Sequence, residues 1–157
     1  MKNIKLFMMD VDGVLTDAGM YYAQDGNEIK KFSTYDGKGI ELLKKAGIKT
    51  AIITSENTKI VENRAKKLKI DYLYQGVQDK VKIAKKICAL EGINLDHCAY
   101  IGDDINDIDL LEIVGYASCP KNARHHVKNI NNIIKLDSYG GNGAVRDFIE
   151  MILNKHK

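Results

Sequence analysis

The chain has 157 residues, with 24 lysines and arginines set against 21 acids for a net charge of +3. That length suits one domain with a real core, and 45% hydrophobic with 29% charged residues excludes a disordered chain. So small a charge excess gives no basis for a nucleic-acid partner, and no apolar run approaches the roughly 18 residues of a membrane span. Met1-Lys2-Asn3-Ile4-Lys5 leads straight into a strand-like run ending in acid, so no signal peptide is expected. Cys88, Cys98 and Cys119 lack CxxC spacing; reduced thiols in the cytoplasm fit better than zinc ligands or disulfides.

In chain order, apolar runs of strand length fall at residues 4–9, 50–53, 72–74, 99–101 and 133–136. Helix-period segments fall at 39–46, 59–68, 80–90, 107–114 and 144–153. Gly47, Gly92 and Gly115 stand just past three of them, where a left-handed residue usually ends a helix. Strands alternating with helices predict an α/β, Rossmann-like fold: a mostly parallel sheet with helices on both faces. Residues 19–33 break the rhythm. Asp25-Gly26 between β-prone flanks predicts an inserted β-hairpin. With one proline and no linker or repeat, residues 1–157 read as a single domain without a cap. Tyr21, Tyr22 and Phe32 on the hairpin have no evident monomeric core and are expected to meet other subunits.

Ligands of open parallel sheets bind beyond the carboxyl ends of the strands. There the first strand runs into Asp10-Val11-Asp12-Gly13-Val14-Leu15-Thr16, the second into Thr54-Ser55-Glu56, and the fourth into Gly102-Asp103-Asp104-Ile105-Asn106-Asp107, while Asp79-Lys80 opens a helix. Any one such acid is an ordinary turn former or helix cap. Gathered on one edge, like charges are costly unless a cation neutralises them, and carboxylate oxygens suit Mg²⁺. Asp10 is the natural nucleophile on phosphorus. Asp12 suits the acid that protonates the departing alkoxide and later activates water. Gly13 lets backbone N–H groups approach phosphate, Thr54 supplies a hydroxyl, Lys80 a fixed positive charge, and Asp103 completes the metal shell with help from Asp104 or Asp107. His125 and His126 are adjacent, so they do not share a helix face and read as surface residues.

These residues resemble the four motifs of the haloacid dehalogenase superfamily: the DxDGxxT run from Asp10 to Thr16, then Thr54, Lys80, and Gly102 through Asp107. The hairpin after the first motif, Tyr74-Gln75-Gly76 before the lysine, and Gly140-Gly141-Asn142-Gly143-Ala144-Val145-Arg146 near the end are similar to the small capless sugar-acid phosphatases. That resemblance implies Mg²⁺ held by Asp10, the backbone carbonyl of Asp12 and Asp103, with Asp104, Asn106 and Asp107 behind them. It also implies a homotetramer in which a neighbouring subunit closes the active site. The substrate class it implies is a phosphorylated 2-keto-3-deoxy sugar acid. Thr54-Ser55-Glu56 with Lys67 looks like the branch acting on nonulosonate 9-phosphates, such as KDN or N-acylneuraminate in sialic acid biosynthesis. The alternative is 3-deoxy-D-manno-octulosonate 8-phosphate of lipopolysaccharide biosynthesis. Gly13, Thr54, Ser55, Glu56, Lys67, Lys80 and Arg146 are the expected phosphate and substrate contacts. Arg146 follows a glycine-rich, flexible stretch and offers a fork-shaped partner for a sugar carboxylate. Asp36 in Asp36-Gly37-Lys38-Gly39 is expected to cap a helix. A phosphate-accepting receiver also gathers acids and a lysine at strand ends, but Asp12 speaks against it. A mutase would need a cap, and a non-enzymatic assembly protein would bind no Mg²⁺.

Overall fold

The computed structural model describes residues 3–154. Six parallel strands form one sheet: β1 (Leu6–Met9), β4 (Lys49–Ile53), β5 (Tyr72–Tyr74), β6 (Cys98–Ile101), β7 (Tyr116–Cys119) and β8 (Ile134–Lys135), in the order β5-β4-β1-β6-β7-β8. β1 is wholly buried in the middle. The chain first builds outward from β1 to β4 and β5, then returns to β6 on its other side. The order therefore reverses at β1, and a crevice opens at its carboxyl end between β4 and β6.

The alternation of side chains sorts the core into two layers. Phe7, Met9, Ile52, Ala99 and Ile101 face α1 (Thr34–Lys45), α2 (Lys59–Leu68) and α6 (Ala144–Asn154), where Phe7 meets Phe148 at a ring separation of 5.4 Å. Leu6, Met8, Ala51, Ile53, Cys98 and Tyr100 face α3 (Lys80–Glu91), α4 (Ile108–Leu111) and α5 (His125–Lys128). Both faces are covered, which is why the strands read as unbroken apolar runs.

The inserted hairpin is β2 (Tyr21–Tyr22) paired antiparallel with β3 (Glu28–Ile29), turning through Gly26 at φ +89°. Tyr21 and Tyr22 are exposed as expected, but Phe32 is not free: it packs against the core beneath the Arg64 guanidinium. Here the chain has left the ribbon and entered the body of the protein, with Thr16 bridging to Phe32.

Other expectations are also corrected. α1 begins five residues early because Ser33, not Asp36, is its N-cap, accepting the Tyr35 N–H. Asp36 caps a different helix: buried inside α1, it accepts the Arg146 N–H at the start of α6. Burial pushes its carboxyl up to about 6. Gly47 and Gly92 are left-handed, but Gly115 is not. Its backbone instead lies so close to Asp96 that a Cβ would fall 2.1 Å from the Asp96 carbonyl. β7 and α5 had no sequence pattern long enough to announce them. His125 and His126 are exposed.

Candidate active site

β1 delivers Asp10 to the crevice. After it the chain turns at once: the N–H groups of Val14, Leu15 and Thr16 converge on the Val11 carbonyl at 3.1, 2.9 and 3.1 Å. This turn needs Gly13, whose φ is +82°. A Cβ there would fall 2.0 Å from Asp103 Oδ2, so the bare backbone is what lets the first and fourth motifs touch.

Lys80 starts α3, which Asp79 caps by accepting the Lys82 N–H at 2.9 Å. Its side chain runs inward, only 2% exposed, and places Nζ 2.9 Å from Asp10 Oδ2 and 2.6 Å from Asp107 Oδ1. Asp10 Oδ1 accepts the Val11 N–H at 2.7 Å. Burial, then the charge of Asp107, pushes the Asp10 carboxyl up to about 7 even though Lys80 pulls the other way. Burial, then the charge of Asp10, pushes Asp103 up to about 8. These two acids resist ionising together, which is the electrostatic condition for holding a cation.

The donor set fits Mg²⁺. Carboxyl oxygens of Asp10, Asp103 and Asp107 lie within 4.8 Å of one another, and Asp103 Oδ1 is buried without a hydrogen-bond partner. Asp107 is already occupied. Oδ1 accepts from Lys80 and from the Tyr100 hydroxyl, and Oδ2 from the N–H groups of Asp103 and Asp104 at 2.8 and 3.1 Å. These contacts hold Lys80 and the fourth-motif loop in place. Asp107 thus has two contacts on each oxygen, whereas Asp10 has one on each and Asp103 keeps Oδ1 unpartnered, so Asp10 and Asp103 are the acids that could hold the ion.

Asp10, Asp12, Thr54, Ser55, Glu56, Asp103, Asp104 and Asn106 line one cleft of about 260 Å³. Asn106 Nδ2 donates to Ser55 Oγ at 3.0 Å and ties its two walls together. A larger hollow of about 500 Å³ lies at the opposite, amino-terminal edge of the strands, among Ile4, Gly47, Ile48 and Leu153, and contains none of these acids. Two expected residues stand apart from the cleft. Lys67 is exposed on α2, and Arg146 lies on α6 with its Nε 2.6 Å from Glu150. The stretch before Arg146 is not the flexible arm expected. Gly140 and Gly141 are buried, the Gly141 N–H donates to the Val14 carbonyl at 3.0 Å, and Lys31 Nζ donates to the Gly141 carbonyl at 2.7 Å.

Two site residues escaped the sequence reading. Asn122 donates to the Gly13 carbonyl at 2.8 Å and accepts the Gly140 N–H at 2.7 Å, clamping the first-motif turn. It follows β7, a strand with no clear pattern of its own. Lys30, just after β3, reaches back to Asp12 with Nζ 2.6 Å from Oδ1. Nothing local distinguishes it from Lys31 beside it.

A buried strand ending in an Asp-x-Asp pair, a lysine behind it, and a second acid pair on the next strand define a Mg²⁺-dependent phosphoryl-transfer site. The chain belongs to the haloacid dehalogenase-like hydrolases: residues 73–146 match that family, and full-length relatives extend the match. It is 37% identical over 158 residues to the 3-deoxy-D-manno-octulosonate 8-phosphate phosphatase KdsC of Yersinia pestis, covering 96% of this chain and 80% of the relative. The crystal structure of the phosphatase of the same description from Moraxella catarrhalis, in complex with a magnesium ion, a phosphate ion and a KDO molecule, superimposes with a TM-score of 0.93 at 40% identity, covering 98% of this chain and 87% of that one. A cobalt-bound form of the Haemophilus influenzae phosphatase gives 0.91 at 34% identity, with 97% and 88% covered. The chain is thus a phosphoric monoester hydrolase.

Proposed function

We propose that this enzyme removes the terminal phosphate of a 3-deoxy-2-keto sugar acid by way of an aspartyl-phosphate on Asp10. The observation that carries this is the placement of Asp10: at the tip of the central strand, against Lys80, and facing a cleft that holds Asp12, Thr54 and Asp103. In the first step an Asp10 oxygen bonds to phosphorus while the ester P–O bond breaks, and the departing alkoxide takes a proton from Asp12. In the second, Asp12 takes a proton from water, the water oxygen bonds to phosphorus, and the bond to Asp10 breaks to release phosphate. Lys80 compensates the charge of Asp10 throughout, and Asp107 holds Lys80 in place. Thr54, buried at the end of β4, presents its hydroxyl to the phosphoryl oxygens. Asp10, Asp103 and the Asp12 carbonyl would hold Mg²⁺, which would supply positive charge to screen the phosphate from the surrounding acids.

The relatives named as octulosonate phosphatases favour the eight-carbon substrate, 3-deoxy-D-manno-octulosonate 8-phosphate, over the nine-carbon one expected from Glu56 and Lys67. Lys67 does not line the cleft. Glu56 does, and that position supports the nine-carbon acid as a second reading. The test is hydrolysis of eight- and nine-carbon 2-keto-3-deoxy acid phosphates with Mg²⁺, by the wild type and by Glu56→Ala and Lys67→Ala. A higher kcat/KM on the eight-carbon acid is expected. A preference for nine carbons that Glu56→Ala abolishes reverses the choice, and no turnover of either removes the substrate class.

The same reading includes a cytoplasmic homotetramer. Its support is the hairpin, where Met20, Tyr21, Tyr22 and Ile29 crowd exposed apolar surface onto two short strands. A neighbouring copy seated there would close the open cleft and bring its own side chains to it, Arg146 being the candidate.

A further inference from the structure

We propose that Lys30 is a positioning residue for Asp12, holding its carboxyl in the orientation from which the proton is delivered to the leaving group. The proposal rests on the reading of Asp12 as the general acid. Lys30 is the buried member of a three-residue ionic group: its side chain is 0% exposed, whereas those of Asp12 and Glu28 are 28% and 20% exposed. A lysine head group is withdrawn from water only when anions replace the water. Here Asp12 Oδ1 lies 2.6 Å from Nζ and Glu28 Oε1 3.2 Å.

The arrangement divides the site between two cations. Lys80 serves Asp10 and Asp107, and Lys30 serves Asp12. The two acids of the first motif are two residues apart, yet each answers to a different ammonium from a different element. With Oδ1 held by Lys30, the carboxyl plane of Asp12 is fixed and Oδ2 is the oxygen left to carry the proton. Glu28, on β3, adds a second ion pair to the ammonium at 3.2 Å, which ties Lys30, and through it Asp12, to the hairpin. General-acid catalysis depends on the proton lying within hydrogen-bond reach of the leaving oxygen, and a carboxyl free to swing forfeits that geometry.

The experiment compares two leaving groups. A sugar alkoxide needs a proton to depart; p-nitrophenolate does not. The kcat/KM values of the wild type, Lys30→Met, Lys30→Arg, Asp12→Asn and the double variant Lys30→Met with Asp12→Asn are measured on octulosonate 8-phosphate and on p-nitrophenyl phosphate with saturating Mg²⁺. Lys30→Met is expected to lose about 10²-fold on the sugar phosphate and no more than about threefold on the aryl phosphate. Lys30→Arg should restore most of the sugar-phosphate activity, and Lys30→Met should cost nothing further once Asp12→Asn is present. Equal losses on both substrates in a folded Lys30→Met, no loss on either, or additive losses in the double variant overturn the proposal. Folding is followed by thermal melting; Lys30→Gln, which keeps a donor and removes the charge, carries the same comparison if Lys30→Met does not fold. Equal losses on the two substrates in Asp12→Asn instead refute Asp12 as the acid. A selective Asp12→Asn beside an unselective Lys30→Met refutes the role of Lys30 alone.

Discussion

Replacing Lys80 by methionine removes a cation that Asp10 and Asp107 share. Its Nζ lies 2.9 and 2.6 Å from them, and all three side chains are at most 8% exposed. Taking away one partner of so buried a group strands the other charges, at a cost of about 3–5 kcal/mol. Each kcal/mol lowers the melting temperature of a chain this long by about 2–4 °C, so a fall of about 10–15 °C is expected for metal-free protein near pH 8. Asp10 is already pushed up to about 7 with Lys80 present, and losing the cation pushes it further. The folded variant then holds protons that the unfolded chain has released, and its stability declines as pH rises. At about pH 5 Asp10 is protonated, so its share of the deficit disappears while that of Asp107 remains. Differential scanning calorimetry of both proteins at the two pH values, in chelator, decides the matter. A shift below about 3 °C at both, or an equal shift at both, refutes the argument that Lys80 compensates buried charge. Activity should fall by at least about 10²-fold, because the lysine also steadies charge on the transferring phosphoryl group.

The same logic predicts a pH profile for the metal-free wild type. Asp10 and Asp103 sit at about 7 and about 8, above the ordinary carboxylate value of 3.8. Stability should therefore fall from about pH 4 to about pH 8, and Mg²⁺ should raise the melting temperature most at the alkaline end; a flat profile counts against the acid cluster. Gly13→Ala forces a Cβ into a left-handed position, about 1–2 kcal/mol by itself, and onto Asp103 Oδ2. Titration calorimetry should show Mg²⁺ affinity at least about tenfold weaker, and unchanged affinity would mean the turn can move aside. Tyr22→Glu, at a side chain 65% exposed on β2, should leave the far-ultraviolet spectrum intact but shift sedimentation toward smaller species. An unaltered sedimentation coefficient would place the subunit contact elsewhere.

Much of this protein was determined by the order of its residues alone. Apolar runs ending in Asp10, Thr54 and Asp103 could only be buried strands whose carboxyl ends meet, since a strand covered on both faces has nowhere else to put an acid but its tip. Lys80 was legible for the same reason, as a cation opening the helix that follows a strand. Other features became visible only once the chain was folded. Lys30 and Lys31 are indistinguishable in the sequence, yet one is buried on Asp12 and the other reaches the Gly141 carbonyl. That difference depends on which way the hairpin leans. Asn122 and Asp36 work across separations of 109 and 110 residues; each satisfies backbone groups of a segment remote from its own, and no local pattern encodes such a partner. Arg146 is tied to Glu150 instead of reaching the cleft because the glycines before it are spent on close packing against the first-motif turn. Periodicity and strand ends report on what a residue must do for its own element, whereas the pairing of remote polar groups is settled only by the packing of the elements together.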